Sequence, residues 1–582
     1  MKINLLKAFN IIVFFLLVSC NENTNNNVSD IWVGEPDSGF RDLKAVNAKE
    51  YMVASGSQTA SEAGTEIIAK GGNAIDAAIA TALVLNVVEP HSSGIGGGGF
   101  LVYYDKKSNK TISFNGRETA PKNAHDKMFL DKNGNPRNFK DAVRGGLSVG
   151  TPGLLKMMKE AHIHYGKLPW EDLFQPAIRA ANNGFKVSER FHLLSKEIAY
   201  LKDFGETSQI YLDKNKKPRN VGDIITNPIL AKTLTSISKN GIKSFYEGQI
   251  AQNTVNSVQN SDINPGYLSL SDLKNYTVKK GELICAPYRD HKICTMSLPS
   301  GGPVLLQIMS ILNHFELNKM KPNSLATVHL ITEATRLAYA DRNEYMADKS
   351  GAPLKDLLNK DYLKKRASLI KKDSVITSLK PGKFIVNDNF SINKRAIEPP
   401  STTHLSVIDK SGNAVSMTNS IEYFFGSAIS VNGFLLNNQL TDFSFSPTKN
   451  GKKVANRLRP GSQPRSSMSP TLVFDNKGQL VMILGSPGGP RIIQFVAKAI
   501  INYIDFGLDI QESISLPTFV VLNDVIELEK TRNITKLNDS LRQMGHKTKI
   551  IEIVSGIQAI TIKNGKIQGG ADPRREGVAI GF

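Results

Sequence analysis

Thr402, in the run Ser401-Thr402-Thr403-His404, carries the most chemical promise in this 582-residue chain. A threonine hydroxyl is a weak nucleophile until a base sits beside it. At a chain N-terminus the base is built in, because a free α-amino group titrates at about 7.7–8.0 and suits proton transfer near neutrality. Inside an intact chain that nitrogen is an amide and cannot serve. If Thr402 attacks, the bond from Ser401 to Thr402 must break first, so the run predicts a self-cleaving precursor. Taken alone, the same residues read as the start of a strand.

Other clusters supply what such a nucleophile needs. Gly488-Gly489 stands just ahead of Pro490, a good first residue of a helix. Two glycine N–H groups at a helix N-terminus favour developing negative charge, as an oxyanion requires. Arg465-Ser466-Ser467-Met468-Ser469-Pro470 gathers hydroxyls able to bind a carboxylate. Asn437-Asn438-Gln439-Leu440-Thr441-Asp442 offers amides and one acid that can hold an ammonium. Phe114-Asn115-Gly116-Arg117-Glu118-Thr119-Ala120-Pro121 places Arg117 after a strand, and arginine is suited to a bidentate grip on a carboxylate. Each cluster in isolation reads as capping or turn chemistry before anything functional.

These residues need elements to place them. The spacing predicts helices over 61–69 and 73–88, the first ended by Gly71-Gly72 and the second capped by Asn73. A glycine run, Gly94 to Gly99, then leads into a strand. It satisfies G-x-G-x-x-G, but its order is helix, glycines, strand, the reverse of a dinucleotide site, so it predicts a tight buried loop. The region 151–373 reads as mainly helical, with helices over 154–164, 173–183, 228–239, 304–315 and 325–348. An irregular stretch follows over 374–401, suited to presentation for cleavage. Hairpins are expected over 403–418 and 470–484, then a helix over 491–503. Helices on one side and strands on the other predict an α+β layered unit. No metal-spaced His/Cys cluster or P-loop occurs, so neither metal nor cofactor is expected.

The formal charge of +19 invites a nucleic-acid or membrane-surface partner. Its lysines are scattered with no aromatic-interleaved basic stripe, which favours a basic solvated surface or weak attraction to an anionic envelope, and no nucleic-acid partner. Residues 1–19 have signal-peptide proportions and close on Leu17-Val18-Ser19-Cys20, the lipobox pattern. Removal of 1–19 and lipid attachment at Cys20 are expected, with 20–47 as a flexible tether and the lipid as the only membrane contact. Cys285 and Cys294 flank a turn at Arg289-Asp290 that sets them opposite each other. A disulfide and two unbridged thiols are both open; directly opposed strand positions often bridge poorly, which favours the thiols.

The ordered motifs from Tyr51 onward resemble the γ-glutamyltransferase (glutathione hydrolase) precursors of the N-terminal-nucleophile hydrolase superfamily. They include Gly71-Gly72-Asn73-Ala74-Ile75-Asp76, the glycine run, Arg117-Glu118, Pro299-Ser300-Gly301-Gly302, Thr402-Thr403-His404, Asn437-Asn438-Gln439, Ser466-Ser467, Gly488-Gly489 and Asp572-Pro573-Arg574. The resemblance implies a four-layer αββα sandwich built by a large subunit, 48–401, and a small catalytic subunit, 402–582. It implies Thr402 as nucleophile, Ser420 as its hydroxyl partner, and Gly488 and Gly489 as oxyanion donors. Arg117, Ser466 and Ser467 would hold the donor's α-carboxylate, and Gln439 and Asp442 its α-amino group. Glu422 departs from the asparagine of well-studied relatives, and either faces the ammonium or pairs with Arg117. The segment 446–463 corresponds to a lid, somewhat shortened. Implied substrates are glutathione, other γ-glutamyl compounds, and acceptor amino acids or peptides. An acylase of the same fold acting on glutaryl or cephalosporin side chains is the alternative, and an uncleaved envelope binding protein a more distant one.

Overall fold

In a computed structural model, residues 35–36, 38–384 and 401–582 are described. The lipobox cysteine, Cys20, lies outside them, as does most of the stretch leading to Ser401.

Fourteen strands form two seven-stranded antiparallel sheets: β1 (Val46–Ala48), β2 (Met52–Ser55), β3 (Gly98–Asp105), β4 (Lys110–Asn115), β5 (Lys279–Gly281), β6 (Ile284–Tyr288), β7 (His291–Thr295), β8 (Thr403–Ile408), β9 (Ala414–Ser420), β10 (Thr471–Phe474), β11 (Leu480–Gly485), β12 (Gln558–Lys563), β13 (Lys566–Ala571) and β14 (Val578–Gly581). One sheet runs β1-β13-β12-β11-β10-β7-β6 and the other β14-β2-β8-β9-β3-β4-β5. Both are therefore built from segments on either side of residue 401, and neither side could complete its sheet alone.

Side-chain alternation along β8 and β9 sets the layers. Leu405, Val407, Val415 and Met417 share a core with helices α1 (Gln58–Ala69) and α2 (Ala74–Val88). Ile408 and Ala414 face the other sheet, whose far side carries α3 (Gly302–Leu312), α4 (Leu325–Tyr345) and α5 (Ile492–Ile504). The result is the expected αββα sandwich. The space between the sheets is partly polar: Ser406 Oγ donates to the Gln558 carbonyl at 3.0 Å and Ser416 Oγ to the Leu484 carbonyl at 2.8 Å. Such bonds satisfy hydroxyls that would otherwise be costly to bury.

Asn73 caps α2 through a capping box with Asp76. The glycine run does precede a strand, and it has a steric reason. A Cβ on Gly96 would lie 2.1 Å from the Leu435 carbonyl oxygen, and one on Gly97 2.1 Å from that of Ser420.

Two expectations need correction. Cys285 and Cys294 are directly opposed on β6 and β7 and are joined by a disulfide, their Cα atoms 4.1 Å apart. The local pairing brings the chains close enough to bridge, so the general rule against opposed positions gives way. The tether expected over 20–47 is too long. Glu35 is buried, Arg41 donates to the carbonyls of Arg575 and Gly577, and β1 begins at Val46. No helix among the described residues is long and apolar enough to cross a membrane.

Candidate active site

Register places the site. The β8–β9 ladder pairs Thr403 with Asn419, which sets Thr402 beside Ser420. Thr402 Oγ donates to Ser420 Oγ at 2.9 Å, and the backbone N–H of Glu422 donates to the same oxygen at 2.9 Å. Both hydroxyl residues are buried. In the uncut chain Thr402 has φ 98°. A β-branched residue in the left-handed region is strained by about 1–3 kcal/mol. That torsion includes the Ser401 carbonyl carbon, so breaking the bond removes the constraint. Ser401 is buried and its Oγ donates to the His91 carbonyl at 3.0 Å.

Thr402, Ser420, Glu422, Arg117, Gln439, Asp442, Ser466, Ser467 and Gly489 line one cavity of about 20 Å³, room for a water and not for a glutamyl group. A donor must displace side chains or solvent to enter. Gly488, at φ 129°, immediately precedes the 3₁₀ turn Gly489–Arg491 that opens α5. Only glycine adopts that conformation without strain. Gly489, the first residue of that turn, lines the same cavity as Thr402, and a helix N-terminus there favours an anion.

Arg117 is buried at the end of β4. Its Nη2 donates to Asp442 Oδ2 at 2.6 Å and to the Arg465 carbonyl at 3.1 Å, and its Nε to the Pro464 carbonyl at 3.2 Å. Gln439 Nε2 donates to the same Asp442 oxygen at 2.6 Å. Asn437 Oδ1 accepts from the Gln439 N–H, which fixes the turn carrying both residues. Ser466 Oγ accepts from the Met468 N–H at 3.1 Å and Ser467 Oγ from Arg342 Nη2 at 2.9 Å. Arg117 thus pairs with Asp442. Glu422 is buried against Asp442, and burial with that neighbouring carboxylate pushes its carboxyl well above the ordinary range. A cation arriving between them would reverse the effect. Beside Arg117, burial pushes the Glu118 carboxyl up to about 8, against the pull of the guanidinium.

The lid segment contains a small exposed hairpin, 448–453, and folds back through Asn456. Asn456 Nδ2 donates to the Asp442 carbonyl at 2.7 Å and its Oδ1 accepts from the Arg465 N–H at 3.0 Å. His404 takes no part in the site. It lies between Thr418 Oγ and Ser406 Oγ at 2.8 and 3.1 Å, and burial holds its imidazole down at about 3.

The sequence did not disclose the groups that hold the Ser401–Thr402 bond. Thr403 Oγ donates to Glu89 Oε2 at 2.8 Å, and Arg575 Nη1 donates to the Thr402 carbonyl at 3.2 Å. Arg575 directly follows the Asp572-Pro573-Arg574 motif, which was its only local signal.

A hydroxyl residue at the start of an inner strand of an αββα sandwich, facing a glycine turn at a helix N-terminus, defines an N-terminal-nucleophile hydrolase. The comparisons agree. The family model described as gamma-glutamyltranspeptidase matches residues 60–582. The glutathione hydrolase proenzyme of Bacillus subtilis (strain 168) is 37% identical over 569 residues, 94% of each chain. Among solved structures, the cephalosporin acylase of Bacillus halodurans superposes with a TM-score of 0.79 at 27% identity, over 93% of this chain and 97% of that one. The Helicobacter pylori gamma-glutamyltranspeptidase gives 0.55 at 34%, over 59% of this chain and 97% of that one. The chain belongs to the gamma-glutamyltranspeptidase family.

Proposed function

We propose that the chain is a glutathione hydrolase and γ-glutamyltransferase that matures by cutting itself between Ser401 and Thr402. Thr402 Oγ attacks the Ser401 carbonyl carbon, the C–N bond breaks, and the nitrogen takes a proton to become an amine. Water then hydrolyses the ester, leaving a Ser401 carboxylate and a free Thr402 hydroxyl. The new α-amino group accepts the Oγ proton as Thr402 attacks the γ-amide of glutathione or a related donor. A γ-glutamyl ester forms on Thr402 and the amine product leaves. Water releases glutamate; an amino acid or peptide gives a transfer product.

In this reading Gly488 and Gly489 receive the oxyanion. Arg117, Ser466 and Ser467 hold the donor α-carboxylate, and Asp442, Gln439 and Glu422 surround its ammonium. The two fragments remain together as a heterodimer because each sheet draws strands from both. A lipid at Cys20, holding the enzyme in a bacterial envelope, belongs to the same proposal and rests on the lipobox alone.

The observation that carries the reading is the strained Thr402 with its hydroxyl on Ser420 at the cavity wall. The test is Thr402→Ala. The purified variant should run as one polypeptide near 64 kDa and release no glutamate from γ-glutamyl anilide. The unaltered protein should give two fragments, the smaller beginning at Thr402. Cleavage and turnover by the alanine variant would end the proposal.

The likeness to a cephalosporin acylase keeps a second reading in view, a glutaryl or cephalosporin acylase. The Asp442 carboxylate weighs against it, since a glutaryl group has no ammonium to meet it.

A further inference from the structure

Behind the cleavage site, away from the cavity, lies a buried ionic cluster that the mechanism above does not use. Glu35, at 4% exposure, receives two arginines on its carboxylate: Arg190 Nε on Oε1 at 2.5 Å and Arg575 Nη2 on Oε2. Arg575 uses its other terminal nitrogen to hold the Thr402 carbonyl at 3.2 Å. Arg190, in the helix Glu189–Glu197, reaches Glu89 Oε1 at 3.3 Å and also the His91 imidazole. Glu89 in turn accepts from Thr403, and the His91 carbonyl from Ser401. All three residues around the scissile bond are therefore bound to one cluster.

The arm that delivers Glu35 is itself fastened to the same turn. Arg41 donates to the carbonyls of Arg575 and Gly577 at 2.5 and 2.6 Å, and its N–H to the Pro573 carbonyl at 3.0 Å. Phe40 lies under the guanidinium groups of Arg532 and Arg574. Without Glu35, two buried guanidinium groups would share one fewer carboxylate, and Arg575 would lose the group that fixes its direction.

We propose that Glu35 is a positioning residue for Thr402: the N-terminal arm holds Arg575, and Arg575 holds the carbonyl of the attacking residue both before and after cleavage. A segment inside the expected tether thereby becomes part of the catalytic support. The inference rests on Thr402 being the nucleophile.

The test uses the full chain with Glu35→Gln, which keeps shape and removes charge, Glu35→Asp, and Arg41→Met, which cuts the arm's second anchor. Three quantities are read: the half-time for appearance of the two fragments, kcat and KM of the mature form on γ-glutamyl anilide, and Tm. Glu35→Gln should slow self-cleavage and lower kcat, each about tenfold or more, with KM within twofold, because the acyl pocket is untouched. Glu35→Asp should recover most of both, and Arg41→Met should show the same split in milder form. Unchanged kcat and cleavage, a lower Tm alone, or a change confined to KM would each overturn the proposal. If Glu35→Gln yields no folded protein, Arg41→Met decides by the same criteria. Thr402→Ala separates the two ideas: should it cleave and turn over, the nucleophile assignment fails, whatever the Glu35 variants do.

Discussion

Asp442 sits where two demands meet. Its carboxylate is bound by Arg117 and Gln439 within a buried pocket, and burial, together with its charge, raises the carboxyl of Glu422 beside it. An ammonium placed there would exchange water for two acids. Hydrogen bonds to charged groups contribute about 1.5–3 kcal/mol, which is roughly tenfold to a hundredfold in binding. Asp442→Asn should therefore lower kcat/KM for γ-glutamyl anilide at least tenfold and leave glutaryl anilide within about twofold. Parallel assays of the two anilides check this; an unchanged ratio would remove Asp442 from ammonium recognition. Arg117 and Thr402 were legible as chemistry only together with the other ordered motifs. The arginine's pairing with Asp442 was not, because the two are 325 positions apart in the chain.

At the scale of elements, the glycine run is a spacer between two strands. Gly97 packs against the Ser420 carbonyl at the end of β9, and Ser420 positions Thr402. A methyl group at Gly97 meets backbone, not a side chain that could swing away. Either β3 or the end of β9 must then shift by about an ångström, and displacements of that size cost catalysis of the order of a hundredfold. Gly97→Ala should accumulate the uncut 64 kDa chain, with fragment formation on gels slowed at least tenfold. The helix-glycine-strand order in the sequence predicted a tight buried loop, and the structure has that order with the loop buried. It could not identify the Ser420 carbonyl as the neighbour, because that contact arises from strand pairing across about 320 residues.

For the whole molecule, buried neutral imidazoles contribute to the loss of stability in acid. Burial holds His404 down at about 3, and burial with His329 and Arg336 holds His546 at about 4. In the unfolded chain each titrates near 6.5. Between pH 6.5 and 4 the unfolded state therefore carries more protons, and stability falls as pH drops through that window. His546 also contacts His329 Nδ1 at 2.7 Å, joining the C-terminal part to α4. His546→Gln, made in the uncut Thr402→Ala chain so that one polypeptide unfolds, should reduce the slope of unfolding free energy against pH by about 1.4 kcal/mol per unit between pH 6 and 4.5. An unaltered slope in denaturant titrations would show that His546 does not titrate on unfolding.

The sequence by itself determined the local matters: the hydroxyl run at Thr402, the glycine turn, most helices and both principal hairpins. Each depends on residue type and on spacings of a few positions, where capping, alternation and backbone freedom act. Tertiary structure alone decided that Arg117 meets Asp442, that Cys285 and Cys294 bridge, and that Glu35 reaches the back of Thr402 through Arg575. Those contacts join segments up to 540 residues apart, or depend on how closely two strands approach. No local pattern encodes them, because burial of charge is settled only when the sheets close around it.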